Sequence, residues 1–270
     1  MNSNILNSLK TFCFLSFALA AIAASAESYT FDSNPVLGSN DPQGYALPGQ
    51  WYVDRFAPAA FDSVSFQGTN RLHVGVSASD YQASAFYNTQ GRKLYLAAAT
   101  VGSRVSAQLY IPAVWASQNV SPSMWLTLYD NVGGASDYPV IAFFSSGSGD
   151  SYFRVFDGNL AYPYWMNLST PVAWDSWNTL SIDFTVGGIV YGINGTEVYT
   201  ETYGIDNGSV SIANVMFQDK NFGTSYDAYW YDLIVTTPNI SGSPVPEPAT
   251  LGWLGIGGVL AVGFRKLRRN

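Results

Sequence analysis

The sequence predicts an all-β protein, with a single antiparallel β-sandwich in the middle of the chain and a targeting segment at each end. Short runs rich in aromatic and β-branched residues alternate with clusters of Gly, Asn, Asp and Ser, which is typical of strands separated by turns. No stretch longer than about 12 residues shows a helical period. The chain is 47% hydrophobic, 16% aromatic and only 11% charged, which excludes a disordered chain and a helical bundle.

The individual strands follow from alternation and from the turn residues that end each run. Residues 103–111 alternate polar and apolar side chains up to Pro112. Residues 189–193 end at Asn194-Gly195, a strong hairpin signal because both residues tolerate positive φ. About ten such strands predict a sandwich or barrel, and a body of about 215 residues can bury one core without disulfides. The predicted strands are 71–76, 103–111, 125–129, 139–144, 152–156, 177–185, 189–193, 197–202, 209–218 and 229–235.

The amino-terminal residues 1–26 have the three parts of a secretory signal peptide. Lys10 supplies a positive flank, residues 12–23 form an apolar run, and Ala24 and Ala26 frame a small-residue cleavage site. The apolar run is shorter than the roughly 20 residues that span a bilayer. We therefore predict cleavage after Ala26 by the Sec and signal peptidase machinery.

The carboxyl-terminal end combines a stalk, an apolar segment and a basic tail. Residues 237–248 are rich in Pro, Ser and Gly, which predicts an extended stalk. Residues 249–264 carry no charge. As a helix they would extend for about 24 Å at 1.5 Å per residue, and the long Arg and Lys side chains that follow can reach the membrane surface, so we predict a short transmembrane helix. The positive-inside rule keeps the tail at 265–270 in the cytoplasm. Its basic residues are Arg265, Lys266, Arg268 and Arg269.

Residues 245–270 read Val-Pro-Glu-Pro-Ala-Thr-Leu, then a glycine-rich apolar stretch and an arginine cluster. This order resembles the PEP-CTERM sorting signal of Gram-negative bacteria. The resemblance implies that an exosortase recognises Pro246, Glu247 and Pro248. It also implies a transient stay in the inner membrane and delivery to the cell surface or an exopolysaccharide matrix. The alternative is a permanent carboxyl-terminal anchor.

The body, residues 27–236, carries a second resemblance. A tryptophan-rich strand entry at 174–184 precedes a strand and an Asn-Gly hairpin at 191–198, and a closing strand follows at 231–235. This arrangement resembles the concanavalin A-like, laminin-G-type jelly roll. The implied fold is a single antiparallel sandwich of that class.

Charge, cysteine and histidine usage exclude several classes of function. Residues 27–243 hold 7 basic and 18 acidic residues, a net charge of −11, which opposes nucleic-acid binding. Cys13 is the only cysteine and lies in the predicted signal peptide, so the mature body has no disulfide and no thiol nucleophile. His73 is the only histidine. It cannot form a multi-histidine metal site and is predicted to be an ordinary strand residue.

The sequence offers no obvious catalytic residues, so we predict that the protein is not an enzyme. Glu197 and Glu201 lie four residues apart and should share one face of a strand, about 13 Å from each other and facing solvent. No cofactor is predicted. Structural calcium is the one alternative, with Asp130, Asp137 and Asp157 at turns as weak ligand candidates.

An aromatic segment after residue 158 is the better candidate for binding. Tyr162, Tyr164 and Trp165 offer flat faces for stacking on sugar rings, and Asn159 and Asn167 offer hydrogen bonds. The alternative is that these aromatics fill one end of the sandwich.

The sequence therefore predicts an exported surface or matrix-associated protein that binds a polysaccharide. Two alternatives stay open. One is a secreted carbohydrate-active enzyme, a glycoside hydrolase or lyase, whose acids the sequence does not reveal. The other is a purely structural or adhesive envelope protein.

Overall fold

The computed structural model describes residues 24–38, 47, 49–83, 88–130, 135–158, 164–202 and 210–238, all within one compact unit, Ala24–Pro238. This unit is built almost entirely of antiparallel β-strands, which confirms the predicted fold class. Within these ranges, no helix has the length and apolarity needed to cross a bilayer. The sorting motif, the apolar segment, the basic tail and residues 1–23 lie outside the described residues.

Eighteen strands and two short 3₁₀ helices, Ala78–Asp80 and Ala113–Ser117, make up the described unit. The strands are β1 Ala24–Tyr29, β2 Val36–Leu37, β3 Gln50–Val53, β4 Ala60–Phe66, β5 Thr69–Val76, β6 Thr89–Ala99, β7 Arg104–Ile111, β8 Asn119–Val120, β9 Pro122–Asp130, β10 Ala135–Asp137, β11 Val140–Ser146, β12 Ser151–Asp157, β13 Tyr164–Asn167, β14 Ser176–Thr185, β15 Gly188–Ile193, β16 Thr196–Glu201, β17 Val210–Lys220 and β18 Tyr226–Pro238.

The strands form two sheets. An eight-stranded sheet has the order β16-β15-β14-β7-β18-β5-β4, and β1 pairs with β18. A ten-stranded sheet has the order β13-β12-β11-β9-β17-β6-β3-β2. In addition, β10 pairs with β9, and β8 pairs with β11. Neighbours in both sheets are often far apart in sequence, as for β7 and β18. The order of the strands therefore depends on packing between the sheets more than on local turns.

Aromatic side chains join the two sheets at the centre of the core. Phe217 of the ten-stranded sheet stacks on Trp230 of the eight-stranded sheet, with ring centroids 4.4 Å apart. Trp51 stacks on the same Phe217 at 5.7 Å and contacts Phe61 at 5.1 Å. All four rings are buried. Large aromatic rings bury the most area per residue, so this stack fixes how the two sheets face each other.

The run at 229–231 divides between two faces. Trp230 is fully buried in the core, whereas Tyr229 and Tyr231 lie on the outer face of the eight-stranded sheet. There Tyr229 stacks on Phe66 at 3.9 Å, and the guanidinium of Arg71 lies 3.6 Å from the ring of Tyr231. Of this run, only Trp230 therefore belongs to the core between the sheets.

His73 lies on the same outer face, as the sequence predicted for a strand residue. Its Nδ1 is 2.9 Å from a carboxylate oxygen of Asp62, and its Nε2 is 2.8 Å from one of Asp227. These contacts link β4, β5 and β18 through side chains. They are structural and lie on a different sheet from the cleft described below.

Strands β1 and β18 extend past the domain boundaries that the sequence predicts at residues 26 and 236. The first strand begins at Ala24, and Ala24 to Ala26 pair with Pro238 to Thr236 at the end of β18. Backbone pairing needs no apolar side chains, which is why the sequence pattern does not reveal these residues. Cleavage after Ala26 would leave Glu27 to Tyr29 to pair with β18. The predicted boundaries at residues 26 and 236 stay predictions.

A buried carboxyl group lies in β17. Asp219 is 0% exposed, and neither carboxylate oxygen has a hydrogen-bond partner among the described residues. Burial, followed by the charge of Asp227, raises the pKa of Asp219 well above its ordinary value. Because the charged form is disfavoured in the interior, this group favours the folded state only while it is protonated.

We expect Asp219→Asn to stabilise the protein increasingly as the pH rises above about 4, the ordinary carboxyl pKa. Below that pH both folded and unfolded wild-type chains carry the proton. Above it only the unfolded chain releases the proton, so wild-type stability falls by about 1.4 kcal/mol per pH unit until the raised folded-state pKa is reached. Thermal unfolding of both proteins from pH 3.5 to 8 measures this. A difference in Tm that is constant over this range would contradict it.

Candidate functional site

A cleft of about 670 Å³ lies on the ten-stranded sheet. Its floor comes from β13, β12, β11, β9, β17 and the start of β6, which are neighbours in that order. At the usual spacing of about 4.8 Å between strands, these six strands extend for about 24 Å. The described lining residues are Arg55, Thr89, Ser121, Ser123, Trp125, Tyr138, Val140, Phe144, Arg154, Phe156, Trp165, Lys220 and Phe222.

The cleft occupies the face of the sheet that points away from the eight-stranded sheet. Met124 and Leu126 of β9 enter the core between the sheets, so Trp125 between them points outward. The same alternation in β17 sends Phe217 inward and Met216 outward. Together with Val140, Phe156 and Trp165, these outward residues form a second hydrophobic cluster under the cleft. The ten-stranded sheet is thus apolar on both faces.

Arg154 of β12 is held between aromatic rings in the cleft. Its guanidinium carbon lies 4.3 Å from the ring centre of Phe144 and 4.1 Å from that of Trp165. One guanidinium nitrogen donates to the hydroxyl of Ser121 at 2.9 Å. Burial lowers the pKa of Arg154 to about 10, which still leaves the group charged at neutral pH. The planar cation is therefore fixed in position before any ligand arrives.

Trp125 is also fixed. Its indole N–H donates to the hydroxyl of Ser123 at 2.6 Å, and that hydroxyl donates to the backbone carbonyl of Gln218. Trp165 meets the ring of Phe156 edge-on at 5.5 Å. The cleft thus presents aromatic side chains whose orientation is set by hydrogen bonds and packing, as in pre-formed ligand sites.

A smaller pocket of about 210 Å³ adjoins the cleft and shares Arg55, Trp125 and Tyr138 with it. Asp54 supplies a carboxylate there. Its oxygens lie 3.3 Å from the ammonium of Lys93 and 2.9 Å from the side-chain amide nitrogen of Gln218. These two contacts fix the orientation of the Asp54 side chain.

The structure separates the residues of the predicted aromatic site. Trp165 lines the cleft. Tyr164, its neighbour in β13, points to the opposite face of the sheet because successive strand residues alternate, and it is 49% exposed. Asn167 pairs with Arg154 in the strand register and is exposed at the sheet edge. Asn159 and Tyr162 lie outside the described residues.

Sequence reasoning missed most of the cleft. Trp125, Phe144, Arg154 and Lys220 come from four strands that only the strand order brings together. One local signal was present: Arg154 is the single charge in the run 152–156, where the other residues are Tyr, Phe, Val and Phe. A charge inside such an apolar strand indicates a special partner.

The expectation that Glu197 and Glu201 share a solvent-facing side is wrong. The register between β15 and β16 shifts between Tyr191 and Gly192, and the extra residue in the bulge reverses the direction of the side chains. Glu197 is exposed, whereas Glu201 is 1% exposed. Glu201 accepts hydrogen bonds from the hydroxyl of Tyr191 at 2.7 Å and from the backbone N–H of Gly158 at 3.1 Å.

Glu201 belongs to a buried polar cluster with Asp137, Asp157 and the two tyrosines Tyr191 and Tyr199. Tyr199 donates to Asp157 at 2.6 Å. Burial is the main reason that the pKa of each tyrosine is raised, and the neighbouring carboxylates add to it. The two tyrosine hydroxyls therefore keep their protons and donate to the carboxylates. The cluster joins strands of the two sheets by hydrogen bonds and does not line the cleft.

The weak calcium candidates fall in or near this cluster. Asp137 and Asp157 are buried, and the side chain of Asp130 lies outside the described residues. Over the part of the chain that the structure describes, no group of three acidic, histidine or cysteine side chains is suited to hold a metal ion. The prediction of no cofactor, with structural calcium as its alternative, stays a prediction.

The sequence matches no protein-family model and no curated protein. Several solved structures align with most of it. The transglycosylase Crh5 has 14% identity and a TM-score of 0.46, with 81% of this chain and 87% of that chain covered. A Bacillus licheniformis β-glucanase has 13% identity and a TM-score of 0.44, with 78% of this chain and 97% of that chain covered. The alginate lyase vAL-1 from Chlorella virus has 10% identity and a TM-score of 0.47, with 69% of this chain and 93% of that chain covered.

These comparisons contradict the prediction that the protein is not an enzyme, because the aligned structures are mainly glycoside hydrolases, with a transglycosylase and a lyase among them. The two antiparallel sheets of the body agree with the jelly-roll interpretation. The identities are only 10–16%. The likeness therefore concerns the fold, and it transfers no substrate and no catalytic residue to this chain.

Proposed function

We propose that the body is a glycan-active domain that binds a polysaccharide chain along the cleft of the ten-stranded sheet. The observation that carries this proposal is the row of oriented aromatic side chains on an open sheet face, with immobilised polar groups between them. Aromatic rings pack against the C–H faces of sugar rings, while hydroxyl, amide and guanidinium groups bond to sugar hydroxyls.

The length and openness of the cleft suit an extended chain. Six strands span about 24 Å, which is room for several sugar rings in a row. Trp165 and Phe156 lie at one end of the floor and Thr89 and Arg55 at the other. A concave surface lined mainly by aromatic and apolar side chains, with a few polar groups between them, is typical of ligand sites.

We expect Trp165→Ala to weaken polysaccharide binding by about tenfold or more, because tryptophan is prominent among the residues that contribute most to binding. Tyr164→Ala is the matched control, because it removes the adjacent aromatic ring from the opposite face of the same strand. Affinity electrophoresis against a panel of bacterial exopolysaccharides and plant glucans measures both. Equal affinities of the two variants for a polymer that the wild type binds would contradict the proposed site.

A second candidate activity is cleavage of the bound chain, and Asp54 is the observation that favours it. Among the described residues that line the cleft and the adjoining pocket, Asp54 is the only carboxylate. Its contacts with Lys93 and Gln218 fix the orientation of the side chain, as the positioning of a general base requires. The hydroxyl of Tyr138, which lines both spaces, is the available proton donor.

We expect Asp54→Asn to lower the release of chain ends from a bound polysaccharide by about 100-fold, the usual contribution of a general base. Binding should change little, because the amide keeps the shape of the side chain. Asp183→Asn, on the eight-stranded sheet beside Arg104, is the control. If Asp54→Asn cleaves at the wild-type rate, Asp54 is not the base.

We further propose that the protein is exported and sorted to the cell surface or matrix by an exosortase. The support is in the sequence: the signal-peptide pattern of residues 1–26, and the order of Pro246-Glu247-Pro248, apolar segment and basic tail at the other end. An extracellular location would bring the cleft to secreted polysaccharide. The inner membrane would hold the precursor only until it is processed.

Replacing Pro246, Glu247 and Pro248 by alanine should leave an unprocessed form in the inner membrane, because the exosortase would lose the triplet that it recognises. Replacing Ser241 and Ser243 by alanine is the control within the same stalk. Cell fractionation and gel mobility in the native host measure the outcome. Wild-type size and location of the triple-alanine variant would overturn the sorting proposal.

A further inference from the structure

The basic residues of the body are concentrated in the cleft. Residues 27–243 contain 7 basic and 18 acidic residues. Three of the 7, Arg55, Arg154 and Lys220, line the cleft, whereas none of its described lining residues is acidic. In a chain with this excess of carboxylates, such a segregation sets the sign of the charge that the cleft presents to a ligand.

Two of these cations have no carboxylate beside them. Among the described residues, neither Arg154 nor Lys220 forms an ion pair, and the buried Nε of Arg154 has no hydrogen-bond partner. Basic groups elsewhere are engaged. Lys93 contacts Asp54, Arg104 contacts Asp183, and Arg92 donates to backbone carbonyl groups.

The two cations also act on each other. Burial is the first cause that lowers the pKa of Lys220, and the charge of Arg154 is the second. The ammonium of Lys220 lies 5.3 Å from the ring centre of Phe222, and Arg154 is fixed by Phe144 and Trp165. Two like charges held close in a partly desolvated cleft cost stability, and an anionic ligand would offset that cost.

We propose that the cleft takes a polysaccharide with anionic groups, carboxylate or sulfate, and that these groups lie against Arg154 and Lys220. The inference rests on the proposed glycan binding and adds the charge class of the ligand. Arg154 offers a planar set of donors suited to an oxyanion, and Lys220 offers a point charge beside it. Arg55 contributes less, because its Nε lies 3.8 Å from a carboxylate oxygen of Asp54.

The net charge of the body does not prevent this binding. The Debye length is about 8 Å at physiological ionic strength, so distant carboxylates on the surface are screened. Partly buried cations in contact with the ligand are screened much less. Binding should therefore persist at physiological salt and weaken only at higher salt.

The experiment compares polymers that differ only in charge. Purified full-length protein is tested by affinity electrophoresis and calorimetry against polygalacturonate and its methyl ester, and against dextran sulfate and dextran. The first pair isolates carboxylate and the second isolates sulfate. A single-stranded oligothymidylate is included, because aromatic rings beside cations also suit unpaired bases. We expect at least about tenfold preference for one charged polymer over its neutral partner.

Substitutions that each remove one positive charge then test which cations contact the anionic polymer. Lys220→Gln should lower affinity for the preferred anionic polymer by about tenfold, since it removes a charge-assisted contact in a partly desolvated site. Arg104→Gln removes one cation from the eight-stranded sheet and should change affinity less than twofold. Arg154→Gln is measured as well, with its Tm, because Arg154 is partly buried and its loss also affects packing.

The outcomes distinguish a failure of the charge inference from a failure of the proposed glycan binding. Equal binding of charged and neutral polymers overturns the charge inference and leaves glycan binding intact. No binding to any polymer overturns the proposed function itself. Equal losses with Lys220→Gln and Arg104→Gln, or preference for the oligonucleotide, also overturn the charge inference.

Discussion

The contact between Phe217 and Trp230 is the constraint on which the rest of the structure depends. These two rings stack across the interface between the sheets, and both are fully buried. Because side chains alternate along a strand, fixing Phe217 inward obliges Met216, Gln218 and Lys220 to point outward. The core of the sandwich thereby determines which residues of β17 reach the cleft. A register slip of one residue would exchange the two sets, removing Lys220 from the cleft and placing it in the core.

The ten-stranded sheet differs from a usual exterior sheet because both of its faces are apolar. All residues from 121 to 128 are buried, so β9 shows no alternation between buried and exposed positions. The inward residues supply stability and the outward ones supply the aromatic floor. On the eight-stranded sheet the outer face also carries aromatics, but there Phe66 stacks on Tyr229 and the guanidinium of Arg71 lies over the ring of Tyr231. The cleft, with its volume of about 670 Å³, is the concave surface that can enclose a chain.

The sequence was sufficient for ten of the eighteen strands and for one cleft residue, and the reasons are physical. Alternation and turn chemistry are local, so β7, β14 and β15 and the Asn194-Gly195 hairpin could be recognised directly. The pairings of β9 with β17 and of β7 with β18 join segments that are distant in sequence, which no local pattern encodes. Tyr164 and Trp165 were grouped because they are adjacent, although adjacency on a strand separates them. The extra residue in the bulge of β16, which buries Glu201, has no reliable sequence signature.

The cleft keeps its positive charge because the nearest carboxyl in sequence does not neutralise it. Asp219 lies between Gln218 and Lys220 in β17, but it points into the sandwich. Burial raises its pKa well above the ordinary value, so below that raised pKa the group is uncharged. A surface aspartate at this position would pair with Lys220 or Arg154 and cancel their charge. By facing inward, Asp219 leaves both cations without a carboxylate partner from their own face of β17, so the same strand alternation that builds the core also preserves the electrostatic character of the cleft.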